Sequence, residues 1–293
     1  MRATQGAFAA QEELVVNLNT SGTRDTWLVH LRIAKALEIL APALAAENVP
    51  WMVVKGAALA HLLYSDPADR PLADLDVRIR PEDYQRARQA LARASATLTY
   101  EAPSYGNLVA DVRGQMVDLE TTLSARFVTR LSVADVLARS RELSVYGGIR
   151  VRVPDTVDHA LILAANLVKD KITQAAAWSY RDTRVIADQP DFDAAVFVAR
   201  AFDARMPTIA RIVAETFDAE SAGWRAVNQR LGPGPRRRTI QAYRWLSETH
   251  PTSLAARLMG RIVTDDAGDR ARALAIAGYW ELVHGRKRWG RRP

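Results

Sequence analysis

Asp74 and Asp76 stand one residue apart in Ala73-Asp74-Leu75-Asp76-Val77-Arg78-Ile79, a strict alternation of polar and apolar side chains. On a strand, a period of two puts Asp74, Asp76 and Arg78 on one face and Leu75, Val77 and Ile79 on the other. Neighbouring carboxylates repel each other, and a divalent cation between them removes the repulsion. A second alternating stretch, Met116-Val117-Asp118-Leu119-Glu120-Thr121, presents Asp118 and Glu120 in the same way. Asp74, Asp76 and Asp118 together form the donor set that magnesium-assisted phosphoryl transfer uses. They offer hard oxygen ligands for one or two ions, and Asp118 could take the proton of an attacking hydroxyl. That chemistry also needs a phosphate-binding turn. Lys55-Gly56-Ala57 follows the apolar run Trp51–Val54 and heads a short helical segment, where free backbone N–H groups and the helix dipole favour phosphate.

Each of these residues also has a plainer reading. Alternating acids describe a solvated strand face equally well. Lys55 fits a surface lysine, and Arg70 can bind phosphate or pair with Asp66 or Asp69. Arg78 shares the face of the two acids, so it is a candidate ion-pair partner that would compete with a metal. Glu120 fits a structural or peripheral role.

The elements that must position these groups follow from periodicity and breakers. Ile33, Leu37, Leu40 and Leu44, with Leu28 and Leu31 leading in, mark a helix over 26–47, with a kink or break expected at Pro42. Asn48-Val49-Pro50 ends it, and Trp51–Val54 has the length and β-branched content of a buried strand. Arg80-Pro81-Glu82-Asp83 starts a helix whose apolar face is Tyr84, Ala87, Leu91 and Ala94. Thr97–Glu101 and Asn107–Val112 read as strands joined at Pro103-Ser104-Tyr105-Gly106, ahead of the Asp118 strand. A short helix near Val133–Arg139 and a hairpin around Tyr146-Gly147-Gly148 follow. From Pro154 the period becomes helical, with Val157, Leu161, Ala164 and Val168 on one stripe, and it stays helical to the end. Breaks are expected at Gln189-Pro190, Met206-Pro207, Gly232–Pro235 and His250-Pro251; another short helix is expected at Gln11–Leu18. The expected organisation is a mixed α/β domain over residues 1–153 and a helical domain with a basic tail over 154–293.

Composition bounds the function. At 293 residues, 48% hydrophobic and 25% charged, the chain has the make-up of a globular protein, with no apolar run of membrane-spanning length and no secretion-signal pattern. A cytoplasmic location is the expectation. The absence of cysteine excludes disulfides and thiolate chemistry, and the five histidines include no i,i+4 pair for zinc. The formal charge is +7 and nearly all positive residues are arginine, with clusters at Arg236–Arg238 and Arg286–Arg292. Arginine's planar fork suits phosphate, so a phosphorylated ligand or nucleic acid is conceivable; a basic tail is more often a solvated chain end than a binding site.

Three blocks carry a family resemblance. Val53-Val54-Lys55-Gly56-Ala57-Ala58-Leu59, then Leu63-Tyr64-x-Asp66-Pro67-x-x-Arg70-Pro71, then Asp74-Leu75-Asp76 resemble the signature of an uncharacterised nucleotidyltransferase family of the DNA-polymerase-β-like superfamily. Val117-Asp118-Leu119 resembles its third-carboxylate strand. Pro154-Asp155 and Arg181-Asp182 to Asp188 resemble its helical rear half. The resemblance implies an α+β fold, with a small mixed sheet flanked by helices and followed by a helical half. It implies transfer of a nucleoside monophosphate from an NTP, ATP among the candidates, to an acceptor hydroxyl, with release of pyrophosphate. Asp74, Asp76 and Asp118 would be the catalytic residues and hold two Mg2+ ions, while Lys55, Gly56, Ala57 and Arg70 would hold the nucleotide. The acceptors implied are tRNA ends, small molecules or proteins. The chain departs from many superfamily members in carrying Gly56-Ala57 where they have Gly-Ser. It also has Glu120 where the related family often has histidine. A non-catalytic module that kept the fold to bind a nucleotide or partner is the alternative.

Overall fold

The protein is described by a computed structural model over residues 25–169, 177–232, 237–250 and 253–289. The helix expected at Gln11–Leu18, residues 233–236 of the Gly-Pro break with Arg236, and the end of the basic tail lie outside these residues. By contacts the chain forms two compact units. Among the described residues, one comprises 25–121 with Ser140–Val153; the other comprises Thr122–Arg139 with those from Pro154 onward.

The first unit is built on a five-stranded sheet. Helix α1 (25–46) precedes β1 (Trp51–Val53), and α2 (Gly56–Leu63) separates β1 from β2 (Leu75–Ile79). After α3 (Tyr84–Arg93) come β3 (Thr97–Ala102), β4 (Asn107–Val112) and β5 (Gln115–Glu120). The strand order is β1-β2-β5-β4-β3, with β2 parallel to β5 and the remaining pairs antiparallel. Because side chains alternate across each strand, the sheet has two chemically different faces. Val53, Leu75, Val77, Ile79, Leu108, Ala110, Val117 and Leu119 face a core shared with α1 and α3. That core also takes Val145, Val151 and Val153 from the hairpin of β6 (Arg141–Val145) and β7 (Ile149–Val153). The opposite face bears Asp76, Arg78, Asp118, Glu120 and Asn107.

Helix α1 differs from expectation in two respects. It runs unbroken past Pro42 to residue 46. Proline removes one intrahelical hydrogen bond close to the C-terminus, where burial of Ala43 and Leu44 keeps the last turn in place. Leu28 and Leu31 are exposed; the buried stripe is His30, Ile33, Leu37, Leu40 and Leu44, at intervals of three and four.

The second unit is helical: α4 (Val133–Arg139), α5 (Thr156–Lys169), α6 (Ala177–Ile186), α7 (Ala194–Asp203), α8 (Pro207–Phe217), α9 (Ala222–Leu231), α10 (Arg237–Thr249), α11 (Leu254–Ile262) and α12 (Ala267–Trp289). Helix α5 was expected to bury one stripe, yet every position from Thr156 to Val168 is buried, because α6, α7, α8 and α11 surround it. Pro207 starts α8, and Asp193, Ser221 and Ser253 cap α7, α9 and α11; of the expected breaks, Met206-Pro207 falls at a helix start, Gln189-Pro190 lies between α6 and α7, and Gly232 and His250 follow the ends of α9 and α10. Trp224 is buried, with its indole N–H donating to the carbonyl of Thr183 at 2.7 Å. Among the described residues no helix is long and apolar enough to cross a membrane.

Candidate active site

Parallel pairing of β2 with β5 sets Asp76 opposite Asp118 and Arg78 opposite Glu120. Antiparallel pairing of β4 with β5 then sets Asn107 opposite Glu120. Neighbouring strands are about 4.8 Å apart, so all five polar side chains lie within contact range on one face. Arg78 is 1% exposed; its Nη2 lies 3.2 Å from Asp76 Oδ1 and 2.5 Å from Glu120 Oε2. Lys55 Nζ reaches the same Asp76 oxygen at 2.8 Å. The Asn107 amide donates to Asp118 Oδ1 at 3.0 Å and to Glu120 Oε1 at 3.2 Å. Both oxygens of Glu120 are therefore engaged, which makes it a support for Arg78 and Asn107.

The charges in this cluster do not balance. Asp74, Asp76, Asp118 and Glu120 are four carboxylates, whereas Lys55 and Arg78 are two cations. Burial alone would push the Asp76 carboxyl up, but Lys55 and Arg78 together hold it below the usual range. Asp118 receives the opposite balance, since burial and then the Glu120 charge raise it to about 6. Asp74 stands just ahead of β2 and the residue as a whole is exposed, yet partial desolvation of its carboxyl, then the charge of Asp76, raises it. Asp76 is the acid whose charge both Asp74 and Asp118 feel.

The turn before α2 adjoins this cluster directly. Val54 N–H donates to the Asp76 carbonyl at 3.1 Å, and Lys55 links turn to carboxylate. Lys55 has φ 54° and ψ −134°, a conformation glycine adopts freely and other residues at a cost of about 1–3 kcal/mol. Such strain persists where surrounding structure enforces it, here at the end of a buried strand. Gly56, the residue expected to head the phosphate turn, is not among the residues with positive φ. Its missing side chain instead leaves room: a Cβ there would stand 2.8 Å from Leu72 and 3.7 Å from both terminal nitrogens of Arg70. The first helical bond of α2 runs from Leu59 N to Lys55 O, and no side chain caps the N-terminus. The amides of Gly56, Ala57 and Ala58 thus precede the intrahelical ladder, where helix starts bind anions.

Of the residues singled out in the sequence, Lys55, Asp76 and Asp118 come together, with Gly56, Ala57 and Arg70 beside them and Asp74 at the margin. By type, the carboxylates suit a hard divalent cation, and the surplus of negative charge is what such an ion offsets. Among the described residues, however, no three such side chains stand ready to hold a metal ion. Arg78 and Lys55 take Asp76, and Asn107 takes Asp118. The contribution of Asn107 had no local signal in the sequence, since only its register with Glu120 reveals it.

No curated protein matches the chain in sequence. A solved structure of the antibiotic-resistance factor ANT(2'')-Ia is similar, at 14% identity and a TM-score of 0.43, over 54% of this chain and 84% of that one. The model of a family described as uncharacterised nucleotidyltransferase matches residues 15–216, spanning both the carboxylate strands and the first helices of the rear half. With more than half its length covered by that model, the chain belongs to this nucleotidyltransferase family.

Proposed function

We propose that the protein transfers a nucleoside monophosphate from an NTP to an acceptor hydroxyl, using the open face of the sheet as its active site. The observation that carries this reading is the junction at Asp76. One carboxylate touches the lysine of the α2 turn and lies opposite Asp118 in parallel register. Asp74, Asp76 and Asp118 would hold Mg2+, which when bound neutralises charge on the triphosphate and the leaving pyrophosphate. The uncapped amides at Gly56 and Ala57, with Arg70 and Lys55, would bind the phosphates. Lys55 would move from Asp76 to phosphate as the nucleotide enters. Asp118, with its proton affinity raised toward neutrality, suits a base that accepts the acceptor's hydroxyl proton. The arginine-rich composition favours an anionic acceptor such as RNA, whose binding would weaken steeply with salt.

The test is incubation with each labelled NTP, magnesium and a panel of RNA, small-molecule and protein acceptors. Transfer and pyrophosphate release should vanish in the Asp74→Asn/Asp76→Asn double variant, and equal labelling by that variant would refute the mechanism. A second reading, a nucleotide-binding module without transfer, is favoured by the saturation of Asp76 with Lys55 and Arg78. It predicts nucleotide binding with no pyrophosphate release for any acceptor.

A further inference from the structure

We infer that His30 and Tyr146 are positioning residues for Arg70 and, through it, for the nucleotide's phosphates; this rests on the phosphate-binding reading of Arg70 given above. Arg70 belongs to the loop between a 3-10 turn (Pro67–Asp69) and Pro71, with extended backbone. A long side chain on a loop loses conformational freedom when it binds, and anchoring its backbone beforehand reduces that loss. The anchor here is a buried histidine. His30 Nε2 lies 3.0 Å from the Arg70 carbonyl oxygen, and Nδ1 lies 3.0 Å from the Tyr146 hydroxyl.

A carbonyl can only accept, so Nε2 carries the proton; in the neutral ring Nδ1 then accepts from the tyrosine O–H. Burial keeps His30 below its usual proton affinity, against the opposing pull of the Arg70 carbonyl and the Asp66 charge; the Arg70 charge acts in the same direction as burial. The ring is fully buried on the core stripe of α1, a position where leucine would pack without needing partners. Tyr146 is fixed in turn. It occupies the β6–β7 turn at φ 45°, and its ring meets His61 of α2 edge-on at 4.4 Å between centroids. Burial, and then the proximity of His30, lower the proton affinity of His61. Two helices and a hairpin therefore converge on the backbone of Arg70, while its guanidinium lies over Gly56 at the start of α2.

Inorganic tripolyphosphate with magnesium tests the anchor, because it carries the part common to every NTP. His30→Leu keeps the volume but removes the donor, and should weaken tripolyphosphate binding about tenfold. The loss should fall on the nucleotide KM more than on kcat. His30→Gln, which restores an N–H toward the carbonyl, should recover binding to within about threefold of the parent. Arg70→Gln should weaken binding at least as much as His30→Leu, and the double variant should be no weaker than Arg70→Gln alone. Should His30→Leu not fold, Tyr146→Phe, which removes only the hydroxyl, makes the same comparison with an expected loss of about threefold. Parent-like binding by His30→Leu alongside weak binding by Arg70→Gln overturns the anchor and leaves the Arg70 reading standing. Additive losses in the double variant overturn it as well. Parent-like binding by Arg70→Gln overturns both.

Discussion

Two groups of carboxylates in this molecule look alike in sequence and differ in charge balance. In the helical unit, Asp155 and Asp158 face Arg139 and Arg200. Asp158, fully buried, takes Arg139 at 2.8 and 3.1 Å and Arg200 at 3.1 Å; Asp155 takes Arg200 at 2.7 Å. Two acids meet two cations, and the result is a scaffold that locks α4, α5 and α7. On the sheet, four acids meet Lys55 and Arg78, and burial first, then the charge of neighbouring acids, raises the proton affinity of Asp118 and Asp74. Burial of acids therefore marks structure when counter-charges match it and points to a ligand when they do not.

The contrast can be broken at either end. The largest effect is expected from Asp118→Asn, which should lower transfer by about 10²–10⁴-fold in a labelled-NTP assay. A variant retaining near-parent transfer would remove Asp118 from the chemistry. Asp158→Asn, by contrast, should act on stability, costing about 3–5 kcal/mol in denaturant unfolding because Arg139 and Arg200 lose a buried partner. A cost below about 1 kcal/mol would mean that the balanced group is no scaffold. Arg78→Met should cost about 3 kcal/mol by removing the buried cation between Asp76 and Glu120, which then keep Lys55 and Asn107 as partners in the cluster, and adding Glu120→Gln should return part of it. An unchanged unfolding midpoint would show that Arg78 does not bind the strands together.

The smallest effect is a gain. Asp118 has a folded proton affinity of about 6, above the usual 3.8. The folded state therefore binds more protons than the unfolded chain between these values, and stability falls as pH rises through that window. In chelator-treated protein, Asp118→Asn should raise Tm by roughly 2–4 °C at pH 8, after allowing for solvent screening, and by nothing near pH 4. Stabilisation that is independent of pH would place its origin elsewhere.

Much of the fold was legible beforehand because its signals are local. The strand at Asp76, the strand at Asp118 and the helix start at Pro81 follow from alternation and from proline, within a few residues of chain. Apolar periodicity leads into the α1 stripe through Leu28 and Leu31 and passes over His30, because a histidine carries no apolar signal; its spacing of three before Ile33 is the available clue. Gly56 stands out in the sequence as the head of a short helix with free N–H groups; that Lys55 before it bears the unusual dihedrals, and that Gly56 supplies space for Arg70 and Leu72, are features of the folded chain. Nothing adjacent in sequence indicates that preference.

The sequence by itself determined which residues alternate on strands, where the helices start, and that a glycine turn and three acids occur in an order shared with a nucleotidyltransferase family. Only the tertiary structure decided that Asp76 lies opposite Asp118, that Arg78 bridges Asp76 and Glu120, and that Asn107 ties Asp118 to Glu120. The reason is one of range. Alternation is a property of a single strand, but the partner and register of a parallel pair are set by the packing of everything between them. Here that is helix α3 and two strands, and it is this packing that leaves the carboxylates with more negative charge than the described residues around them offset.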